Sequence, residues 1–495
     1  MNPQSLRITA TVNCAACLFI LVILAPVVSM AQGWPEFFDT DELLTLNLEL
    51  AEADWQNIQN DETFDIEVPA DLWLDGEAPM LVSVRRKSGD PLQNGTPYTK
   101  VSLKVDINEY VDGQTWHDLK KLSLENGDDQ DVVTEGLAWY LHRLASGTEA
   151  YGYPVGLAAW VRVVINGVDT GVYVNVEQPD KQFFRNRDLY LSGSTWLYKM
   201  SDINSYDLKF GDGDSPTFLA LCYEPFQHGG AACPFPGDGV FATELSDLID
   251  MRGMLTLATL DAFTGNNDAL FTHGKNAYFA DFSTGRKRMY LPWDLDSTFP
   301  GSLDGPYYPS GDEYSEVILA IPEFHELFDN IMSSMLAGPL TMANIGPLLD
   351  TAESILTEAL ENDPNSQIEG PATDHFASLR TRLADRIAGA VDLFGVSVAS
   401  DVPRALRLAQ NHPNPFNPMT TVRFTLERPG QAVLSVFDAA GRRVRTLVAG
   451  PYGAGTHTAV WDGRDDAGRA LADGVYLCRL DAGGVSECRK MALVR

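Results

Sequence analysis

Residues 265–299 read GNNDALFTHGKNAYFADFSTGRKRMYLPWDLDSTF, and the fold class turns on how they are read. A Gly/Asn-rich loop carries Asp268, His273 and Asn276. A short hairpin follows, and a Pro-Trp-Asp-Leu-Asp run closes it with Asp294 and Asp296. Carboxylates at i and i+2 of an extended segment point to opposite faces. Asp294 and Asp296 therefore reach one hard cation only if the backbone turns there. The apolar neighbours Trp293, Leu295 and Phe299 speak against a merely solvated turn and favour a metal-binding one.

The flanks of this hairpin differ in kind. Before it, residues 243–264 have a helical period. After it, FHELFDNIMSSMLA, ANIGPLLDTAESILTEALEN and HFASLRTRLADRIAGAVDLF are amphipathic helices within 313–396. Further upstream, residues 33–200 open with an acidic amphipathic segment and continue in strand-like alternation through MLVSVRRKSG and YTKVSLKVDINEY. One helical stretch, VVTEGLAWYLHRLA at 132–145, interrupts them. Asn166-Gly167 between apolar runs predicts a tight hairpin. The expectation is an antiparallel sheet with one inserted helix, then a helical half, with the carboxylate-bearing hairpin at their junction.

Charge divides the chain again. The formal net charge is −32, which disfavours sequence-independent nucleic-acid binding. Residues 404–495 carry net +5 and residues 1–403 net −37. Within 404–495, short alternating strands with Gly/Asp turns every 10–15 residues predict a small β-sandwich. At the other end, residues 1–31 read as a secretory signal: Arg7, an apolar run over 14–28, and Ser29-Met30-Ala31 as a cleavage site. No other window is long and apolar enough to span a bilayer. In an oxidising compartment, Cys222 with Cys233 and Cys478 with Cys488 are expected as bridges from their spacing. The domain expectation is signal 1–31, body 32–398, sandwich 399–495.

Seven ordered blocks then carry a specific likeness: VSVRRKSG, YTKVSLKVDINEY, LKKLSLENGDDQDVVTEGLAWYLHR, WVRVVINGVDTGVYVNVEQPDKQFF, WLYKM, DAFTGNNDALFTHGKNAYF and MYLPWDLDSTF. Together they resemble the spore coat protein H (CotH) kinase-like family. The resemblance implies an α+β, atypical protein-kinase-like two-lobe fold that uses ATP with Mg²⁺ or Mn²⁺. It implies Lys104 as the lysine that holds nucleotide phosphates, with Glu135 as its helix partner at ion-pair distance, about 4 Å or less. Glu177 is placed near the nucleotide base, and Lys199 lines the same cleft. Asp268 resembles the catalytic carboxylate, and Asn276 with Asp294 the metal-holding pair, Asp296 being a further ligand. Residues 87–97, KSGDPLQNGTP, depart from the family's Gly/Ser loop, and Thr134 stands where the family often has Arg. Asn276 follows Asp268 by eight residues where the family has about five, which puts His273 at that offset and predicts a lengthened loop.

NHPNPFNPMTTVRFTL, VFDAAGRRVRTLV, WDGRDDAGRALADGVYLCRL and RKMALVR resemble FlgD-type Ig-like modules and type IX (Por) secretion sorting domains. The expected protein is thus a secreted or surface-associated kinase acting on Ser/Thr hydroxyls of extracytoplasmic proteins, its last module either addressing secretion machinery or standing as an inert Ig-like appendage. Two rival readings remain: a non-catalytic surface scaffold with a degenerate kinase-like fold, and a glycosyltransferase using Asp294-Leu295-Asp296. The second lacks the βαβ repeats such enzymes need.

Overall fold

The computed structural model describes residues 36–494, except 39–41, 88–89, 93–98, 129–130, 147–152, 203–204, 222–238, 284, 302, 304, 311–312, 397–405, 412–413, 415, 427–429, 439–441, 454 and 483–484. The expected signal and the expected Cys222–Cys233 bridge lie outside the described residues. Contacts divide the chain into two units, 1–340 with 344–387, and 388–495 with 341–343.

The first unit begins with β1 (Leu44–Glu49), α1 (Glu52–Gln59), β2 (Glu67–Leu74), β3 (Met80–Arg86), β4 (Leu103–Asp106), β5 (Lys121–Glu125), α2 (Val132–Ser146), β6 (Ala158–Ile165) and β7 (Val168–Glu177). The strands close into a barrel in the order β1-β2-β3-β4-β5-β7-β6. Alternation in β2 shows how: Val68, Ala70, Leu72 and Leu74 are buried, while Glu67, Pro69 and Asp71 are exposed. The β6–β7 turn places Asn166 and Gly167 at φ 51° and 76°, the left-handed pair that a two-residue hairpin needs. All strand pairs are antiparallel except β1 with β6, whose parallel pairing (Leu46 opposite Val163) closes the sheet on itself. The sequence reading anticipated neither this closure nor α1.

Helix α2 packs on β6 and β7. Asp131 caps it, accepting from the amides of Val133 and Thr134 at 2.8 Å each. Gly136 lets it come close: a Cβ there would lie 2.4 Å from the Trp160 ring, whose Nε1 donates to the Val132 carbonyl at 2.7 Å. That contact sets the height of α2 over the barrel, and with it the position of Glu135.

The rest of the unit comprises α3 (Lys181–Asn186), β8 (Thr195–Asp202), β9 (Ser205–Phe210), α4 (Pro216–Ala220), α5 (Gly239–Leu248), α6 (Met251–Thr264), α7 (Leu270–His273), β10 (Ala277–Phe282), β11 (Met289–Pro292), α8 (Glu313–Ile318), α9 (Pro322–Leu336), α10 (Met342–Asn362) and α11 (Ala372–Leu393). A four-stranded sheet runs β11-β10-β8-β9. Helix α6 is apolar nearly all round and buried along its length, as a central core helix must be. Asp250 caps its start and Gly265, at φ 70°, ends it. Barrel and helical half are tied by a buried pair. Asp363, after α10, accepts from the Val172 amide at 2.9 Å and faces Lys100 Nζ at 3.4 Å.

The second unit contains β12 (Leu406–Leu408), β13 (Thr420–Leu426), β14 (Gly430–Asp438), β15 (Arg443–Tyr452), β16 (Gly455–Trp461), β17 (Gly474–Ala482) and β18 (Val485–Leu493). Two sheets, β12-β13-β16 and β15-β14-β17-β18, enclose a core that includes Val422, Phe424, Leu434, Trp461 and Leu480. This is the expected sandwich. The expected Cys478–Cys488 bridge is corrected: no disulfide joins them, Cys478 being buried and Cys488 exposed. Register is the cause. Cys478 stands opposite Arg489, and Cys488 opposite Arg479, so one residue of offset puts the two thiols on opposite faces of the sheet.

Candidate phosphotransfer site

The β10–β11 hairpin brings the sequence-predicted acidic residues together. Ala277 pairs with Pro292 at its open end, and the Trp293 amide donates to the Asn276 carbonyl at 3.2 Å. Asn276 and Asp294 are both left-handed, at φ 54° and 59°. The backbone does turn at Asp294, so the i, i+2 objection to a shared site is lifted: the fields of Asp294 and Asp296 both reach the Glu135 carboxyl. The Asn276 Nδ2 donates to Asp268 Oδ2 at 3.0 Å, and Lys275 Nζ lies 2.8 Å from Asp268 Oδ1. His273, at the family's usual offset, is largely exposed and 4.0 Å away. The one-turn helix α7 lies between Asp268 and Asn276, and it is Asn276 that reaches Asp268.

The lysine at the heart of the cleft is Lys87, directly after β3. Its Nζ lies 2.6 Å from Glu125 Oε1 and 3.6 Å from Asp294 Oδ1, and 4.8 Å over the Trp293 ring. Burial works against its charge, yet Glu125 and Asp294 outweigh burial and hold the ammonium protonated well above the usual lysine range. Ser123 Oγ donates to the same Glu125 oxygen at 2.5 Å. Glu135 projects from α2 into this group, fully buried, with no hydrogen-bond partner for Oε2 among the described residues. Burial, then the charges of Glu125 and Asp296, push its carboxyl well above the ordinary range, while Lys87 opposes them. Lys199, opposite Tyr278 on β8, is 6.0 Å from the Trp293 ring. Burial and then Lys87 lower its pKa, and Asp294 resists.

The expected Lys104–Glu135 ion pair is corrected, since no contact within 4 Å joins them among the described residues. On β4, Lys104 stands opposite Arg85 and Ser123 and lines a recess with Glu67, Ser83, Arg85, Asp106 and Lys121. Burial comes first, then the positive fields of Lys121, Arg85, Lys87 and Lys199, and together they pull its pKa down to about 8. It borders the cleft as a cation among cations. Glu177 is also engaged elsewhere: Arg187 grips both of its oxygens, at 3.0 and 2.6 Å, at the exit from the barrel. Lys87 and Glu125 were not singled out from sequence. The only signal was parity, since Arg85 and Lys87, like Ser123 and Glu125, alternate onto one barrel face.

Glu125 and Asp294 thus contact Lys87 directly, and buried Glu135 lies within the fields of Glu125, Asp294 and Asp296. Among the described residues, no three His, Cys, Asp or Glu side chains form a ready-made metal cage. Mg²⁺ rarely needs one, because one or two carboxylates plus substrate phosphates suffice. The orphaned Glu135 oxygen and the hard oxygen donors of Asp294, Asp296 and Asn276 fit such a cation. No helix among the described residues is long and apolar enough to cross a membrane.

A family model described as CotH kinase protein matches residues 95–231 and 237–375, and one described as FlgD Ig-like domain matches 418–484. No curated protein sequence matches. Among solved structures, the Helicobacter pylori proinflammatory kinase CtkA is 13% identical, with 59% of this chain and 92% of that one covered at a TM-score of 0.26. Latent PorU of Porphyromonas gingivalis is 20% identical over 18% of this chain and 9% of its own, TM-score 0.16. FlgD of Pseudomonas aeruginosa is 20% identical over 15% of this chain and 58% of its own, TM-score 0.13. The chain therefore spans less than two thirds of both of these last two.

Proposed function

Because this chain belongs to the CotH kinase protein family, we propose that it is a phosphotransferase, moving the γ-phosphoryl group of ATP to Ser/Thr hydroxyls of extracytoplasmic proteins with Mg²⁺ or Mn²⁺. The observation that carries this reading is the meeting of Lys87, Glu125, Glu135 and Asp294 around Trp293, with Asp268 joined to the same hairpin through Asn276. Phosphoryl transfer asks mainly for positioning and charge. Lys87, held by Glu125, offers a fixed positive charge to phosphate oxygens, and Lys104 and Lys199 add two more at the cleft edge. Asp268 accepts the hydroxyl proton, and Asn276 and Lys275 hold its carboxylate in place. Asp294, Asp296 and Asn276 would hold the cation, which would supply positive charge against the phosphate oxygens.

A thermal-shift measurement with ATP and Mg²⁺ or Mn²⁺, paired with transfer of labelled phosphate, tests this. The expected result is a metal-dependent shift that Asp294→Ala abolishes, together with autophosphorylation or transfer. No shift at millimolar nucleotide would leave the scaffold reading, which the neutralising Lys275 contact on Asp268 favours. A shift with a sugar nucleotide but not with ATP would revive the glycosyltransferase.

Sorting or surface attachment through residues 399–495 belongs to the same reading, supported by the FlgD Ig-like match. Deleting the module is expected to redistribute the protein among cells, surface and medium in the native host. Equal distribution of both forms would remove the sorting role.

A further inference from the structure

We propose that Asp261 and Asn266 are positioning residues that set the backbone of Asp268, an inference that rests on the phosphotransferase reading of that carboxylate. Asn266 is fully buried and held at three points. Its amide donates to the Asp261 carbonyl at 2.8 Å, its Nδ2 to Asp261 Oδ1 at 2.9 Å, and its Oδ1 accepts from the Asp268 amide at 3.1 Å. One rigid side chain thus links the last turn of α6 to the residue bearing the reactive carboxylate. From the other side, Asn276 and Lys275 hold the Asp268 side chain, so backbone and carboxylate are located independently.

Asp261 is an expensive choice for a purely structural site. It is 2% exposed and burial pushes its pKa up to about 7, with the Asn266 hydrogen bond opposing. A buried carboxylate is seldom better for stability than a well-packed apolar residue. The helix end does not need it either. Arg386 donates to the carbonyls of Ala262 at 2.6 Å and Phe263 at 3.2 Å, and the Phe299 amide donates to Thr264. With α6 already fastened, what Asp261 adds is the orientation of Asn266. Displacing a reacting group by about 1 Å costs on the order of 100-fold in rate.

Steady-state kinetics on the full chain, with hydrogen exchange alongside, test this. Asn266→Ala and Asp261→Ala are expected to lower kcat by about 10–100-fold with KM for ATP unchanged. Asp261→Asn keeps an acceptor for Asn266 Nδ2 and should recover kcat to within about threefold, which a mere core lesion would not do. In Asn266→Ala, amides of 267–276 should exchange faster while those of α6 stay protected. Wild-type kcat in Asn266→Ala overturns the proposal, as does a matched rise in KM for ATP. If the wild type transfers no phosphate, the phosphotransferase reading fails by itself, and the exchange experiment still decides the positioning claim. Unchanged exchange at 267–276 sinks it, and should Asp261→Ala not fold, Asn266→Ala and Asp261→Asn carry the test.

Discussion

Replacing Asp268 by alanine is expected to cut phosphoryl transfer by about 10²–10⁴-fold while leaving the ATP–metal thermal shift in place. The separation follows from where the side chain sits. Asp268 is more than a quarter exposed, and its partners Lys275 and Asn276 lie on its own loop. Of the groups proposed to hold nucleotide and cation, Asn276 touches Asp268, whereas Lys87, Asp294 and Lys199 belong to other segments around Trp293. Removing the carboxylate takes away the proton acceptor and little of the packing. Single-turnover transfer and nucleotide-dependent melting, measured on one preparation, check it. Wild-type turnover in the variant would end the catalytic assignment, and loss of the shift would show that Asp268 serves binding instead.

Replacing Asp363 by alanine is expected to destabilise the first unit by about 3–5 kcal/mol, the usual cost of removing one partner from a buried ion pair. Lys100 is 2% exposed and Asp363 1%. Burial already depresses the lysine pKa, and Asp363 is the main charge opposing that. The variant also strands the Val172 and Asn365 amides that Asp363 accepts from, at 2.9 and 2.7 Å. Lys100 keeps the Val172 carbonyl at 2.5 Å and the Tyr173 ring at 4.8 Å, which cannot replace a counter-charge. Pairing Lys100→Met with Asp363→Asn removes the stranded charge while keeping a carbonyl acceptor, and should recover most of the loss. Urea unfolding followed by tryptophan fluorescence gives the comparison. A loss below about 1 kcal/mol for Asp363→Ala would mean that the pair is not what binds barrel to helical half.

Much of this architecture is local, and local features are legible in a chain. The alternation of β2, the Asn166-Gly167 turn, the helical period of 243–264 and the Gly/Asp turns after residue 404 each depend on neighbours a few positions away. The order of the carboxylate-bearing segments is likewise a property of the chain, with Asp268 and Asn276 in the loop before the β10–β11 hairpin and Asp294 directly after it.

What those patterns leave open is how strands meet. The parallel pairing of Leu44–Leu48 with Val161–Ile165 leaves no mark on the period of either strand. Strand register decided the rest. Cys478 and Cys488 have the spacing of a bridge, but pairing Ala482 with Val485 offsets them by one residue and turns the thiols apart. Lys104 has the sequence context of the phosphate lysine and shares a face with Arg85 and Lys87, but the β3–β4 register sets it opposite Arg85, two positions along the strand from Lys87, which at the strand's end reaches Glu125 and Asp294. Sequence by itself determined most of the elements, their order and the family. Only the tertiary structure decided which charges and thiols meet, because strand register sets both the face a side chain takes and its place along that face.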